Sequence, residues 1–173
     1  IKAGVDAFLT KPINCYYLFD ATMELFDKQM TKLYHQRIGD IDPVGVTKLI
    51  GGARVLLVED NAINRQVAGE ILSNIGLFVE MAEDGIQCLD KLDEYMYDLV
   101  IMDIQMPNMD GYTATREIRK NKKFQDLPII AMTANAMAGD REKCLAVGMN
   151  DHISKPIDKK KLYAALTKCI KPQ

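Results

Sequence analysis

The stretch DLVIMDIQMPNMDGY, residues 98–112, decides the fold. Leu99 to Met102 form a short apolar run, as in a strand buried on both faces. Asp103 follows at once, and Pro107 and then Asp110-Gly111 turn the chain sharply away. A buried strand is aimed at a carboxylate, and the rest of the chain supplies the reason.

On either side, short apolar runs alternate with helical stripes. RVLLV (54–58), FVEMA (78–82) and PIIAM (128–132) read as further strands, and residues 151–154 as a short last one. Ile63, Val67, Ile71 and Ile75 recur every four residues, as on one face of a helix, and Ile86, Leu89 and Leu92 mark a second helix. Helices are also expected near 112–121, near 139–147 and over 159–170. Strands alternating with helices imply parallel pairing with helices on both faces, a doubly wound α/β sheet of five strands. Ligands of such sheets bind beyond the carboxyl ends of the strands.

Composition narrows the class. The 173 residues, 48% hydrophobic and 27% charged, fit a soluble globular protein with one full domain and some excess. Lysine and arginine number 22 against 24 acids, a net charge of −2. That balance offers no basic field for nucleic acid and no polybasic attraction to a membrane. No apolar run approaches the roughly 20 residues that span a bilayer. Cys15, Cys88, Cys144 and Cys169 are scattered, with no C-x-x-C and only two histidines, which argues against zinc and for reduced cytosolic thiols. The opening IKAGVDAFLT has neither an initiator Met nor a signal-peptide pattern, so the chain reads as a piece of a longer protein.

Ahead of residue 53 the sequence repeats its own end. AGVDAFLTKPIN (3–14) aligns without gaps on VGMNDHISKPID (147–158), and Leu18 and Ala21 then fall on Leu162 and Ala165. Asn14 and Asp158 stand where each following helix needs an N-cap. The chain thus opens with the last strand and helix of one domain, then supplies a second copy. Phe19, Met23, Phe26, Met30 and Leu33, spaced 4-3-4-3, prolong that first helix, and Gly39 and Asp42-Pro43 are expected to stop it. The organisation expected is a strand–helix remnant at 1–38, a linker at 39–52 and a complete domain at 53–171. The orphaned segment leaves apolar surface uncovered. Of folding back or pairing two chains through residues 6–38, a homodimer is favoured.

Placing side chains at the strand ends answers the opening question. Strand 54–58 ends in Glu59-Asp60, strand 98–102 in Asp103, strand 128–132 in Thr133 and strand 151–154 in Lys155. Three carboxylates held together raise one another's pKa unless a cation joins them. A hard divalent ion with oxygen ligands is the natural solution, and Mg²⁺ takes one or two carboxylates, waters and a phosphate. Lys155 would neutralise an incoming phosphoryl oxygen, and Thr133 would donate a hydrogen bond to it. Asp103, central in the edge, is the best nucleophile toward phosphorus.

VLLVEDNAINR, DLVIMDIQMPNMDG, PIIAMTANAM and GMNDHISKPID together resemble the receiver (response-regulator) domain of two-component signalling, in the variety fused to hybrid sensor histidine kinases. The resemblance runs nearly continuously from residue 53 to 170, and residues 3–26 resemble the tail of a second receiver. It implies a flavodoxin-like sheet in strand order 2-1-3-4-5, with the first and third strands adjacent. It implies that Asp103 accepts a phosphoryl group from a phosphohistidine on a histidine kinase or histidine phosphotransfer domain. Glu59, Asp60, Asp103 and the Gln105 main-chain carbonyl would hold Mg²⁺, and Thr133 and Lys155 would contact the acyl phosphate. It also implies a cis Lys155-Pro156 bond. A receiver catalyses its own phosphorylation, and no ATP-binding kinase core lies in these residues. The implied setting is cytoplasmic, with the parent a sensor that a membrane can anchor.

Some residues depart from the pattern or stand outside it. His152 occupies the place where receivers usually keep an aromatic switch residue that moves together with Thr133; a histidine there departs from that pattern and reads equally as a surface-exposed residue. His35 lacks the surroundings of a phosphorylated histidine and reads as an exposed linker residue. Lys159 to Lys161 read as a solvated face beside the usual partner surface. Met102, Met106, Met109 and Met132 read as core and loop packing. Two other classes compete. A Mg²⁺-dependent phosphohydrolase with an aspartyl phosphate wants a second acid two residues after the nucleophile, where Gln105 stands. An interaction adaptor that takes no phosphate would have no need of the full set of site residues.

Overall fold

The computed structural model describes residues 43–134 and 138–171, with the backbone alone for 138–140. The expected remnant at 1–38, with Cys15 and His35, lies outside the described residues. Five strands form one parallel sheet: β1 (Arg54–Val58), β2 (Phe78–Ala82), β3 (Leu99–Asp103), β4 (Ile129–Thr133) and β5 (Asp151–Ser154). Their order is β2-β1-β3-β4-β5, as expected, with β1 and β3 side by side in the register Val55–Leu99 to Val58–Met102. Among the described residues, six α-helices accompany them: α1 (Pro43–Ile50), α2 (Ala62–Ser73), α3 (Gly85–Glu94), α4 (Gly111–Lys120), α5 (Ala138–Ala146) and α6 (Lys159–Cys169).

The central strands are continuous apolar runs because both their faces are covered. Val55, Leu57, Leu99, Ile101, Ile130 and Met132 pack with α1, α2 and α6. Their alternates, Leu56, Val58, Val100, Met102, Ile129 and Ala131, pack with α3, α4 and α5. Side-chain oxygens begin the helices. Asn61 accepts from the Ile63 and Asn64 amides, Asp84 from Gln87, Asp110 from Thr113, and Asp158 from Lys160 and Lys161. Each satisfies donors that the first turn leaves without intrahelical partners.

Two expectations are corrected. Within the supposed linker at 39–52, residues 43–50 form α1, whose Val46 and Ile50 are buried against the core beside α6. Pro43, read as a stop, is instead the first helical residue, where its missing N–H costs nothing and its fixed φ suits the helix. The chain leaves α1 through Gly52, in the left-handed region at φ 90°, whose amide donates to the Gly76 carbonyl at 2.8 Å. The second correction concerns α2. Of the four residues expected on one helix face, Ile63 and Val67 are 74% and 50% exposed, whereas Ile71 packs partly buried against the core and Ile75, beyond the helix end, is buried in it with Ala68 and Leu72. The four-residue spacing drifts around a helix of 3.6 residues per turn, so a stripe of that spacing is not tied to one face.

Candidate functional site

The carboxyl edge of the sheet gathers the residues expected there. β1 hands over directly to Glu59, which is buried, and to Asp60, which is exposed. β3 ends on Asp103 and β4 on Thr133, both buried. The Lys155 amide donates to the Thr133 carbonyl at 2.7 Å, which continues the β4–β5 ladder to the lysine. Carboxylate oxygens of Glu59, Asp60 and Asp103 lie within 4.8 Å of one another, the one such cluster of potential metal ligands among the described residues. Lys155 Nζ reaches between them, 2.6 Å from Asp103 Oδ2 and 2.7 Å from Glu59 Oε2. The Lys155-Pro156 bond is cis.

Further contacts fix these groups. Asp103 Oδ1 accepts from the Gln105 amide at 3.3 Å. Glu59 Oε1 accepts from Asn64 Nδ2 at 3.1 Å. Arg65 Nη1 donates to the main-chain carbonyls of Glu59 at 2.7 Å and Asp60 at 3.1 Å, and Nη2 pairs with Glu83 at 2.9 Å. Gly111 is needed for space: a Cβ there would run into the Asp103 carbonyl oxygen, so α4 can start close under β3 only at a glycine.

Electrostatics show what the edge lacks. Burial pushes the Asp103 carboxyl above its ordinary value, Lys155 pulls it back incompletely, and Glu59 adds repulsion. For Lys155, burial acts to lower the pKa, yet the hydrogen bonds and charges of Asp103 and Glu59 outweigh it and the ammonium is held above its ordinary value. Burial thus leads for Asp103, the paired carboxylates prevail for Lys155, and three carboxylates gather with a single ammonium at this edge. The set is all oxygen and carries excess negative charge, which fits a hard divalent cation and offers a softer metal nothing.

The structure therefore brings Glu59, Asp60, Asp103 and Lys155 together, with Thr133 on the adjoining strand end. His152 lies apart. It pairs with Ala131 on β4, two residues before Thr133, so it sits roughly 6–7 Å down the strand. Its Nδ1 is buried without a hydrogen bond, 3.8 Å from Asp151 Oδ1. The four methionines pack as expected, Met102 and Met132 in the core and Met106 and Met109 partly buried against it. Asn64, Arg65 and the Asp84–Asn108 pair, joined at 2.8 Å, were not foreseen. Asn64 and Arg65 stand in the quoted motif VLLVEDNAINR, but a link from Asp84 to Asn108 leaves no periodic trace.

The class this defines is a doubly wound α/β domain with a cation-seeking acidic cluster and a lysine at the carboxyl edge of its sheet. The response regulator receiver domain family matches residues 55–167, and the chain belongs to that family, the receiver modules of two-component signal transduction. The histidine-protein kinase BarA of Escherichia coli K12 is 34% identical over 163 residues, which cover 94% of this chain and 17% of that protein. The chain thus spans about a sixth of the length of that relative. Among solved structures, the receiver domain of the sensor histidine kinase PA1611 from Pseudomonas aeruginosa is 44% identical with a TM-score of 0.64. The match covers 69% of this chain and 98% of that one, and that domain has magnesium coordinated in its active-site cleft. The receiver domain of Saccharomyces cerevisiae Ssk1, solved with the histidine phosphotransfer protein Ypd1, is 29% identical with a TM-score of 0.64, covering 69% of this chain and 89% of that one. No helix among the described residues is long and apolar enough to cross a membrane.

Proposed function

We propose that this module accepts a phosphoryl group on Asp103 from a phosphohistidine, with Mg²⁺ as cofactor, within a hybrid sensor histidine kinase. The observation that carries the reading is the cluster of Glu59, Asp60 and Asp103 with Lys155 bridging two of them. Glu59, Asp60, Asp103 and the Gln105 main-chain carbonyl would hold the cation, which supplies neutralisation for phosphoryl oxygens when bound. An Asp103 carboxylate oxygen forms the new P–O bond as the P–N bond to the donor imidazole breaks, the electron pair returning to that nitrogen. Lys155, already on Asp103 Oδ2, follows the transferred charge onto a phosphoryl oxygen. Thr133 donates its hydroxyl to another, and that movement switches the domain, with His152 in the place of the aromatic partner. Incubation with acetyl phosphate and Mg²⁺ should add one acid-stable, base-labile phosphoryl group. An Asp103→Asn variant that still accepts phosphate at the parent's rate would refute the assignment.

The donor we infer is a histidine kinase or a histidine phosphotransfer domain, the latter supported by the Ypd1 partner of the similar Ssk1 receiver. We place the module in the cytoplasm, on a parent that a membrane can anchor. Residues 1–38 we read as the tail of a preceding receiver. In support, the similarity to BarA covers 94% of this chain, whereas the family match is confined to residues 55–167. Residues 6–38 should hold two chains together, and a chain beginning at Ile41 should sediment as a monomer. The full chain sedimenting as a monomer at high micromolar concentration would exclude the dimer.

A further inference from the structure

The loop from Ile104 to Asp110 carries Gln105, and it is pinned on both sides of that residue. On the near side, the Ile104 amide donates to the Met132 carbonyl at 3.2 Å, and its carbonyl accepts from the Gly111 amide at 3.0 Å. On the far side, the anchor comes from the turn between β2 and α3. The Gly85 amide donates to the Met109 carbonyl at 3.1 Å, and Asn108 Nδ2 donates to Asp84 Oδ2 at 2.8 Å. Asn108 has φ 61°, in the left-handed region that asparagine tolerates better than most residues.

Asp84 is suited to serve as the anchor. Its other oxygen, Oδ1, accepts from the Gln87 amide at 2.9 Å as the N-cap of α3, so the carboxylate is fixed to a rigid element. It is buried, and it stays ionised: the Gln87 amide, then the Asn108 amide group, outweigh burial and hold its pKa below the ordinary value. There is no slack beneath the loop either. A Cβ at Gly85 would come within 2.7 Å of Met109 Cγ and 2.9 Å of the Met109 carbonyl oxygen.

We propose that Asp84 is a positioning residue for the cation site, acting through Asn108 to hold the loop that presents the Gln105 carbonyl. The inference rests on the reading above, that Glu59, Asp60, Asp103 and the Gln105 main-chain carbonyl hold a divalent cation. Groups that orient the direct ligands of a metal contribute strongly to its affinity. Only Met106 and Pro107 separate Gln105 from the Asn108 anchor, so releasing it frees the loop beside Gln105.

The test is calorimetric titration of the full chain with Mg²⁺ alone, well below the melting transition. Asn108→Gly removes the amide while keeping the left-handed backbone accessible, and Asn108→Asp sets two carboxylates against each other. Each should weaken Mg²⁺ binding by about tenfold, while Asp84→Asn combined with Asn108→Asp, which exchanges donor and acceptor, should return it to within about twofold of the parent. The asparagine introduced at position 84 still caps α3, so recovery reports on the tether and not on the helix. Asp60→Ala is the control for the cation reading itself. If it binds Mg²⁺ as the parent does, or if the parent binds none, that reading fails and this inference with it. If Asp60→Ala weakens binding while both Asn108 variants match the parent, the positioning role alone is overturned. A double variant as weak as Asn108→Asp overturns it equally.

Discussion

The sheet carries a charged cluster at each end of its first strand, and the two are built oppositely. At the carboxyl edge, three carboxylates gather with one ammonium, that of Lys155, which reaches Glu59 and Asp103. Toward the amino edge, Glu80 alone receives Tyr97 Oη at 2.7 Å and Arg54 Nη2 at 2.7 Å, with Lys91 Nζ 3.8 Å away. Arg54 is itself held, its guanidinium over the rings of Tyr95 and Tyr97 and its backbone amide on Asp98 Oδ2 at 2.8 Å. The pKa directions follow the difference. The Tyr97 hydrogen bond, against some burial, and then Arg54 and Lys91 hold Glu80 below the ordinary glutamate value, while Asp103 is pushed above the aspartate one. A cluster with enough donors is a finished structural part. One with too few cations is an edge kept short of positive charge, which is what the proposed cation would supply.

The contrast is broken most severely at Lys155. Lys155→Ala leaves Glu59 and Asp103 facing each other, both buried, with their shared cation gone. Removing one partner of a buried pair leaves an uncompensated charge, so the domain should lose about 3 kcal/mol in urea unfolding at neutral pH without Mg²⁺. Mg²⁺ should then stabilise the variant more than it stabilises the parent. A loss below about 1 kcal/mol, typical of an exposed pair, would show that the edge is not charge-stressed.

Mg²⁺ itself gives the next effect. At a concentration one hundred times its dissociation constant it should add about 2.7 kcal/mol to the parent's stability. Both acids of the β1 end should matter, Asp60 more than Glu59. The Glu59 oxygens are already engaged by Asn64 and Lys155, whereas Asp60 stands exposed at the rim and open to an ion. Calorimetric Mg²⁺ titrations of Asp60→Ala and Glu59→Ala check the order, and equal or reversed affinities would sink it.

The charge-short edge was more legible in the sequence than anything else in the molecule, for a physical reason. Strands buried on both faces are unbroken apolar runs, so Glu59, Asp103 and Thr133 stand out as the first polar residues after them. Parallel pairing with the strand order then puts those ends together. The finished network was invisible, because Arg54, Glu80 and Tyr97 meet through long-range bonds with no spacing rule. The same holds for Asp84 with Asn108. Helix α1 was missed because Pro43 carries two meanings, a stop after one helix and a start for the next. The exposed face of α2 was missed because Ile63 and Val67 look like core residues to any periodicity count.

The smallest effect belongs to the finished cluster. Glu80→Gln keeps the shape and removes the charge, so Tyr97 keeps an acceptor and Arg54 loses its ion pair. About one third of the Glu80 side chain is exposed. Solvent therefore screens the pair, and the loss should be about 1 kcal/mol or less. Its pH dependence has a definite sign. A carboxylate whose folded pKa lies below its unfolded value contributes stability that is fully present above the unfolded value, and loses it as pH falls through the folded one. For Glu80 the unfolded value is near the ordinary glutamate 4.5, so parent and Gln variant should differ most above that pH and converge under stronger acid. Added Mg²⁺ should leave the difference between them unchanged, because no cation is missing from this network. Urea unfolding of both chains between pH 7 and pH 3, with and without Mg²⁺, measures it. A gap that widens on acidification would mean that Glu80 is not held ionised by its neighbours. A gap that changes with Mg²⁺ would mean that the two clusters are coupled through β1.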